Sequence, residues 1–210
     1  MWNNHGTGFL VIISAPSAAG KTTLCRMLLQ RNAERMIFSR SCTTRPRRPE
    51  EAEDAYFFIS ADEFKQRIQT GQFLEWAMVH NHYYGTLKSQ VKAGIEHGRI
   101  VLLDIDVQGG LQVMDQVPEA LSIFILPPSW EELQRRLRER RTESQAQIDL
   151  RLRNSRLEIA SMPRYHSLII NDQLEDAYHQ LIGVIQSHSF RFSNYSPSFL
   201  QQFQTEDNPI

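Results

Sequence analysis

The sequence predicts an α/β fold in three layers. A mainly parallel central sheet lies between helices and carries a phosphate-binding loop (P-loop), with a small mixed-β insertion and a helical, arginine-rich lid. Three observations predict it. Residues 9–14 form a continuous apolar run, and 100–106 and 122–126 read as two further buried strands, as expected of strands covered on both faces. Helical segments alternate with them, which favours right-handed crossovers and parallel pairing. The first run enters Ala15-Pro16-Ser17-Ala18-Ala19-Gly20-Lys21-Thr22-Thr23, a small-residue loop that opens a helix at Gly-Lys-Thr. Backbone N–H groups of such a loop wrap a polyphosphate, and the lysine reaches its outer phosphates.

Taken in order, residues 1–8 read as a loose polar tail and 9–14 as the first buried strand. A helix over 22–31 follows from Leu24, Met27 and Leu28 at helical spacing. Residues 36–41 read as a strand, 42–53 as a polar loop dense in Arg, Pro and Glu, and 56–59 as a short strand. Ser60 with Glu63 three on is a capping-box pattern that starts a helix to about 70, ended by Gly71. A strand over 73–79 turns through Asn81-His82 into 83–86. A helix over 88–97 closes at Gly98. The buried strand 99–106 leads to a helix expected after Gly109-Gly110. Strand 122–126 stops at Pro127-Pro128, and helices over 130–140 and 145–161 end at Pro163. Strand 166–170 ends at Asn171-Asp172, and a helix over 175–187 closes the fold. Residues from 188 on read as a packed-on extension or disorder. The quick succession of short strands from about 42 to 87 breaks the alternating rhythm and reads as an inserted subdomain.

The chain has 210 residues, 41% of them hydrophobic, which suits one domain with a proper core. A formal net charge of −1 points in bulk to neither nucleic acid nor membrane. Two cysteines, Cys25 and Cys42, make no disulfide framework and have no metal-ligand spacing, so a reducing cytoplasm is the expected compartment. No run approaches the ~20 apolar residues of a membrane span, and the early apolar run is too short for a signal-peptide core.

Several residues carry chemistry. Lys21 places charge on outer phosphates, and the Thr22 hydroxyl can ligate Mg²⁺. The loop fits A-x4-G-K-T, with Ala15 at the first glycine position of the usual pattern. Asp104 and Asp106 lie two apart on a strand, so they share a face at the end where parallel sheets bind ligands. One can hold Mg²⁺ directly or through water; a capping or salt-bridging pair fits the same spacing. Arg135, Arg136, Arg138, Arg140, Arg141, Arg151, Arg153 and Arg156 outnumber the nearby acids Glu139, Glu143, Asp149 and Glu158. Alone, the block reads as a solvated face or a nucleic-acid patch. Beside a phosphate loop it reads as a mobile flap that closes over a transferring phosphoryl group. Thr43-Thr44-Arg45-Pro46-Arg47-Arg48 forms a second anion site, with Tyr56 and Tyr84 as hydroxyl donors. A surface loop pairing with Glu50, Glu51 and Glu53 is the plainer reading of the same residues. Glu75, among Phe73, Leu74 and Trp76, can accept two N–H bonds from a base such as guanine, or stand as an exposed strand residue. The seven histidines show no metal-binding spacing.

Taken together the motifs resemble the guanylate kinases over residues 8–187. They are S-A-P-S-A-A-G-K-T-T, S-C-T-T-R-P-R-R-P, Y-F-F, F-L-E-W-A, N-H-Y-Y-G-T, L-D-I-D-V-Q-G, I-F-I-L-P-P-S, R-R-L-R-E-R and I-I-N-D, in that order. The resemblance implies transfer of the γ-phosphoryl group of MgATP to GMP or dGMP, giving ADP and GDP, with Mg²⁺ as cofactor. It implies ATP and GMP as partners, no nucleic acid or membrane, and a cytoplasmic monomer or homodimer. It divides the domain into a core (8–40, 88–133 and 162–187), a GMP-binding subdomain (41–87) and a lid (134–161), followed by an extension (188–210).

It also assigns roles. Lys21, Arg136, Arg140 and Arg151 would be catalytic. Ala15, Pro16, Ser17, Ala18, Ala19, Gly20, Lys21, Thr22, Thr23 and Asn171 would bind ATP. Ser41, Arg45, Arg48, Tyr56, Glu75, Tyr84, Thr86 and Asp106 would bind GMP, and Thr22 and Asp104 would face the metal. The chain departs from the family at Ala18 and Glu50, where glycines are usual, and at Arg141, which replaces a glycine after the lid arginine. An alanine at position 18 would cost about 1 kcal/mol if φ there is positive. The loop after Arg45 is one residue short, which leaves Arg47 beside Arg48 as a candidate for the second phosphate-gripping arginine. The rivals are a non-catalytic guanylate-kinase-like protein-binding module and a related kinase with a ribosyl-phosphate acceptor. The retained Lys21 and lid arginines argue against the first. Ser41, Glu75 and Tyr84 argue against the second.

Overall fold

A computed structural model describes residues 2–49, 51–53, 55–79, 81–139 and 145–203. The chain runs β1 (Leu10–Ser14), α1 (Lys21–Arg31), β2 (Met36–Phe38), β3 (Cys42–Thr43), β4 (Phe57–Phe58), α2 (Ala61–Gln69), β5 (Phe73–Val79), β6 (His82–Leu87) and α3 (Lys88–Glu96). It continues through β7 (Ile100–Asp104), α4 (Val107–Gln116), β8 (Leu121–Leu126), α5 (Trp130–Arg138), α6 (Gln145–Ala160), β9 (Ser167–Ile170), α7 (Leu174–Ser189) and the short α8 (Pro197–Leu200).

The central sheet has the order β2-β7-β1-β8-β9, and all four pairings are parallel. Every residue of β1 is buried, because alternate side chains serve two separate cores. Val11 and Ile13 pack with Leu24 and Leu28 of α1 and Leu181 and Ile185 of α7. Leu10 and Ile12 pack with Val91 of α3, Leu103 of β7 and Val113 of α4. Burying each such aliphatic side chain stabilises the fold by roughly 1.5–3 kcal/mol. The sheet is therefore fixed from both sides, and its strand tips form a rigid platform.

The second sheet has the order β4-β3-β6-β5, with β3–β4 parallel and the other pairings antiparallel. A bulge between Phe73 and Glu75 shifts the register of β5. Three consecutive residues are buried there, which plain strand alternation would not allow. Phe73 packs with Phe64 in a small core of its own, Leu74 joins the main core, and Glu75 stands opposite Thr86. Ser60 caps α2, accepting from Glu63 N at 3.1 Å, while the Glu63 carboxylate turns to Arg67 instead of completing the box.

Two local expectations shift. The strand expected to reach Asp106 ends at Asp104, and Gly109-Gly110 lie inside α4 rather than before it. The reason is that Asp106 is the N-cap, accepting from Gly109 N at 2.7 Å. The termini also differ from a loose tail. Asn3 Nδ2 donates to Ser189 O at 2.7 Å, Thr7 N to Asn194 O at 2.7 Å, and Ser196 N to His5 O at 2.9 Å. The His5 ring stacks on Phe199 at 4.0 Å, so residues 2–8 and 188–203 clasp each other. Among the described residues no helix is long and apolar enough to cross a membrane.

Candidate active site

The phosphate loop joins β1 to α1 through two left-handed residues, Ala18 at φ 68° and Gly20 at φ 90°. Left-handed residues between right-handed ones turn successive N–H groups to one side, which makes an anion nest. At Gly20 even a Cβ is excluded, since it would collide with Asn171 Nδ2, which donates to Ala19 O at 2.8 Å. At Ala18 the strain foreseen for a non-glycine residue is present. The loop opens on a cavity of about 320 Å³ lined by residues 15–23 together with Asp106 and Glu158. Lys21 reaches from the start of α1 to the tip of β7, 2.5 Å from Asp104 Oδ1 and donating to Ile105 O at 2.8 Å.

A second cavity, of about 540 Å³, is lined in part by Arg40, Ser41, Tyr56, Thr86, Asp104 and Ile105. Beside it sits Glu75, 7% exposed, whose Oε1 accepts from Thr86 Oγ1 at 2.6 Å. Burial pushes its carboxyl up to about 6, against the pull of the Thr86 hydroxyl and with some help from the Asp106 charge. A Cβ on Gly109 would lie 3.1 Å from Glu75 Oε2, a tight approach. Arg45 donates from Nε to Tyr84 Oη at 3.2 Å and pairs with Glu51 at 2.7 Å, its guanidinium 5.5 Å from the centre of the Tyr56 ring. Arg48 N donates to the same Glu51 at 3.2 Å. Arg47 pairs outward with the exposed Glu53 at 3.5 Å. The Arg–Glu reading of this loop thus has its physical counterpart in Glu51 and Glu53.

The arginine block divides on inspection. Arg136 is held between Glu132 Oε1 at 2.7 Å and Asn171 O at 3.1 Å. Arg135 chelates Glu132 and reaches Glu139. The two arginines hold the Glu132 carboxyl down at about 2. Arg151 of α6 donates to Ser17 Oγ at 3.4 Å, above the phosphate loop. Arg140, Arg141, Glu143 and Glu50 lie outside the described residues. Among the described residues no three His, Cys, Asp or Glu side chains gather as a ready-made metal cage. The oxygen donors of Thr22 and Asp104 suit Mg²⁺, which takes one or two protein oxygens and the phosphates of its ligand.

Two features escaped the sequence, whereas Glu51, one of the acids expected to pair in the Arg45 loop, does so. Glu132 is the main partner of the arginines, a pairing that its spacing of three and four residues could have revealed. Glu158 lines the phosphate cavity, and its seven-residue spacing from Arg151 is the signal that both share one helix face.

A family model described as guanylate kinase matches residues 8–188 of the chain. The guanylate kinase of Thermotoga maritima is 42% identical over 181 residues, covering 86% of this chain and 87% of that protein. That of Fusobacterium nucleatum is 43% identical over 180 residues, covering 86% and 97%. Among solved structures, a guanylate kinase from Anaplasma phagocytophilum superposes with a TM-score of 0.71 at 27% identity, covering 93% of each chain.

Proposed function

The chain belongs to the guanylate kinase family, and on that premise we propose how its residues carry out the reaction. It is an ATP:GMP phosphotransferase: a GMP phosphate oxygen attacks the γ-phosphorus of ATP, and ADP leaves. One observation carries the assignment of residues. The segment 104–106 lines two cavities, Asp106 the one walled by the phosphate loop and Asp104 and Ile105 the one walled by Ser41, Tyr56 and Thr86, and Lys21 is anchored on that segment.

The ATP phosphates lie along Ala15–Thr23, with the adenine toward Asn171. GMP lies in the second cavity, its base on Ser41, Glu75, Thr86 and Asp106 and its phosphate on Arg45, Arg48, Tyr56 and Tyr84. The ionised Glu75 accepts the two N–H donors on one edge of guanine, a pattern that adenine lacks. Arg45 is pre-positioned by Glu51 and Tyr84, so little side-chain freedom is lost on gripping the phosphate. Lys21 moves with the γ-phosphoryl group and neutralises charge as it transfers, helped by Arg136, Arg140 and Arg151. Thr22 and Asp104 would hold Mg²⁺, which would supply charge neutralisation to the bound phosphates. Residues 41–87 and 134–161 move as subdomains over the core 8–40, 88–133 and 162–187, excluding water. The two unpaired thiols, Cys25 and Cys42, suit a reducing cytoplasm.

A coupled ADP-release assay across GMP, dGMP, AMP, UMP and a ribose bisphosphate tests this reading. Acceleration by GMP and dGMP alone is expected. No acceleration by GMP would remove the proposed placement of the acceptor.

A further inference from the structure

One carboxylate at the phosphate loop has no role in the account above. Glu158 of α6 lines the same cavity as Lys21 and Thr22. Its Oε2 is fully buried and has no hydrogen-bond partner among the described residues. Burial, and then the Asp106 charge, push its carboxyl above the ordinary value, against the pull of Lys21. Residues 151, 155 and 158 recur at helical spacing, and the face they make sits over the loop: Arg151 touches Ser17, Ser155 is fully buried, and Glu158 enters the cavity wall. An acid at this place opposes the ligand for which the loop is built. A phosphate loop gathers N–H dipoles and a lysine to attract negative charge, whereas Glu158 and Asp106 repel it. Leaving a buried carboxylate oxygen unpartnered is itself costly, so its presence calls for a ligand that it favours.

We propose that Glu158 makes donor binding selective for the magnesium complex of ATP over free ATP. This inference rests on the donor-site reading given above. Free ATP brings up to four negative charges beside Glu158. The magnesium complex brings two fewer, along with a cation whose hydration shell the buried oxygen can accept from. Glu158 is a positioning residue, carried with Arg151 on α6.

The experiment measures ATP dissociation constants by calorimetry on the full chain, once in excess Mg²⁺ and once in EDTA. Wild type is compared with Glu158→Gln and Glu158→Asp. In Glu158→Gln, free ATP should bind on the order of tenfold more tightly than to wild type, with MgATP affinity changed less than about twofold. The preference for MgATP thus shrinks about tenfold. Glu158→Asp, which keeps the charge, should keep most of the preference. An equal preference in wild type and a folded Glu158→Gln overturns the proposal. So does an equal loss of both affinities, which is what a purely structural role gives. Wild type that binds ATP under neither condition overturns the donor-site reading itself, a different and separable failure.

Discussion

Glu75→Gln should move stability and affinity in opposite directions. In the native protein the Glu75 carboxyl is displaced from an ordinary 4.5 to about 6, chiefly by burial. That displacement corresponds to about 2 kcal/mol held against the ionised form. A raised carboxyl pKa means the native state binds its proton more tightly than the unfolded chain does. The cost is therefore fully present above about pH 6, is relieved as pH falls through 6 toward 4.5, and is absent below. Glutamine keeps the shape and the bond from Thr86 but carries no charge. After allowing for burial of its amide, Glu75→Gln should melt about 3 °C higher than wild type at pH 8 and show no gain near pH 4.5. The same change replaces a two-oxygen acceptor by one oxygen and one NH₂ that meets a donor. Loss of a charge-assisted bond and the resulting mismatch should cost about 3 kcal/mol, raising the KM for GMP about 100-fold while the KM for ATP stays within about twofold. Differential scanning fluorimetry from pH 4.5 to 8 and initial rates with each nucleotide varied provide the measurements. A variant less stable than wild type at pH 8, or one with equal rises in both KM values, would refute the argument.

Other expectations come from the same geometry. Lys21→Ala should reduce kcat by at least about 10³-fold while GMP binding, followed by calorimetry, changes little; substantial residual turnover contradicts the position given to Lys21. Ala18→Gly removes left-handed strain worth about 1 kcal/mol but adds a similar unfolded-chain entropy, so its melting temperature should stay within about 2 °C of wild type. A shift beyond about 4 °C in either direction would show that one of these two effects is misjudged. Asn171→Ala severs the bond to Ala19 O and should cost about 1–2 kcal/mol in urea denaturation and raise the KM for ATP several-fold, leaving that for GMP alone. An unchanged ATP KM would show that the loop keeps its shape without Asn171.

Legibility in the sequence followed distance along the chain. The buried run of β1, the Ser60 cap and the Gly-Lys-Thr entry to α1 depend on interactions within a few residues, and each was readable. The strain at Ala18 was readable as a condition, and the backbone there meets it at φ 68°. The end of β7 was misplaced because Asp106 can continue a strand or cap a helix, and capping Gly109 N prevailed. The bulge at Phe73/Glu75 left no local mark, since any of the three buried residues suits an ordinary strand. A packed-on extension from residue 188 was one of two readings, but its partner was invisible, because the clasp joins groups as much as 194 positions apart, His5 and Phe199.

By itself the sequence determined the layered α/β class, the presence of a phosphate loop and the family resemblance, because apolar periodicity and motif spacing are local properties of the chain. The tertiary structure alone decided how the charges are shared. Asp104 meets Lys21 at the tip of β7, Arg136 reaches the Asn171 carbonyl, and Glu158 is left facing the phosphate cavity. Which opposite charge a side chain meets depends on which strand ends and helix faces packing brings together, and packing of a doubly covered sheet is settled by contacts between segments far apart in sequence.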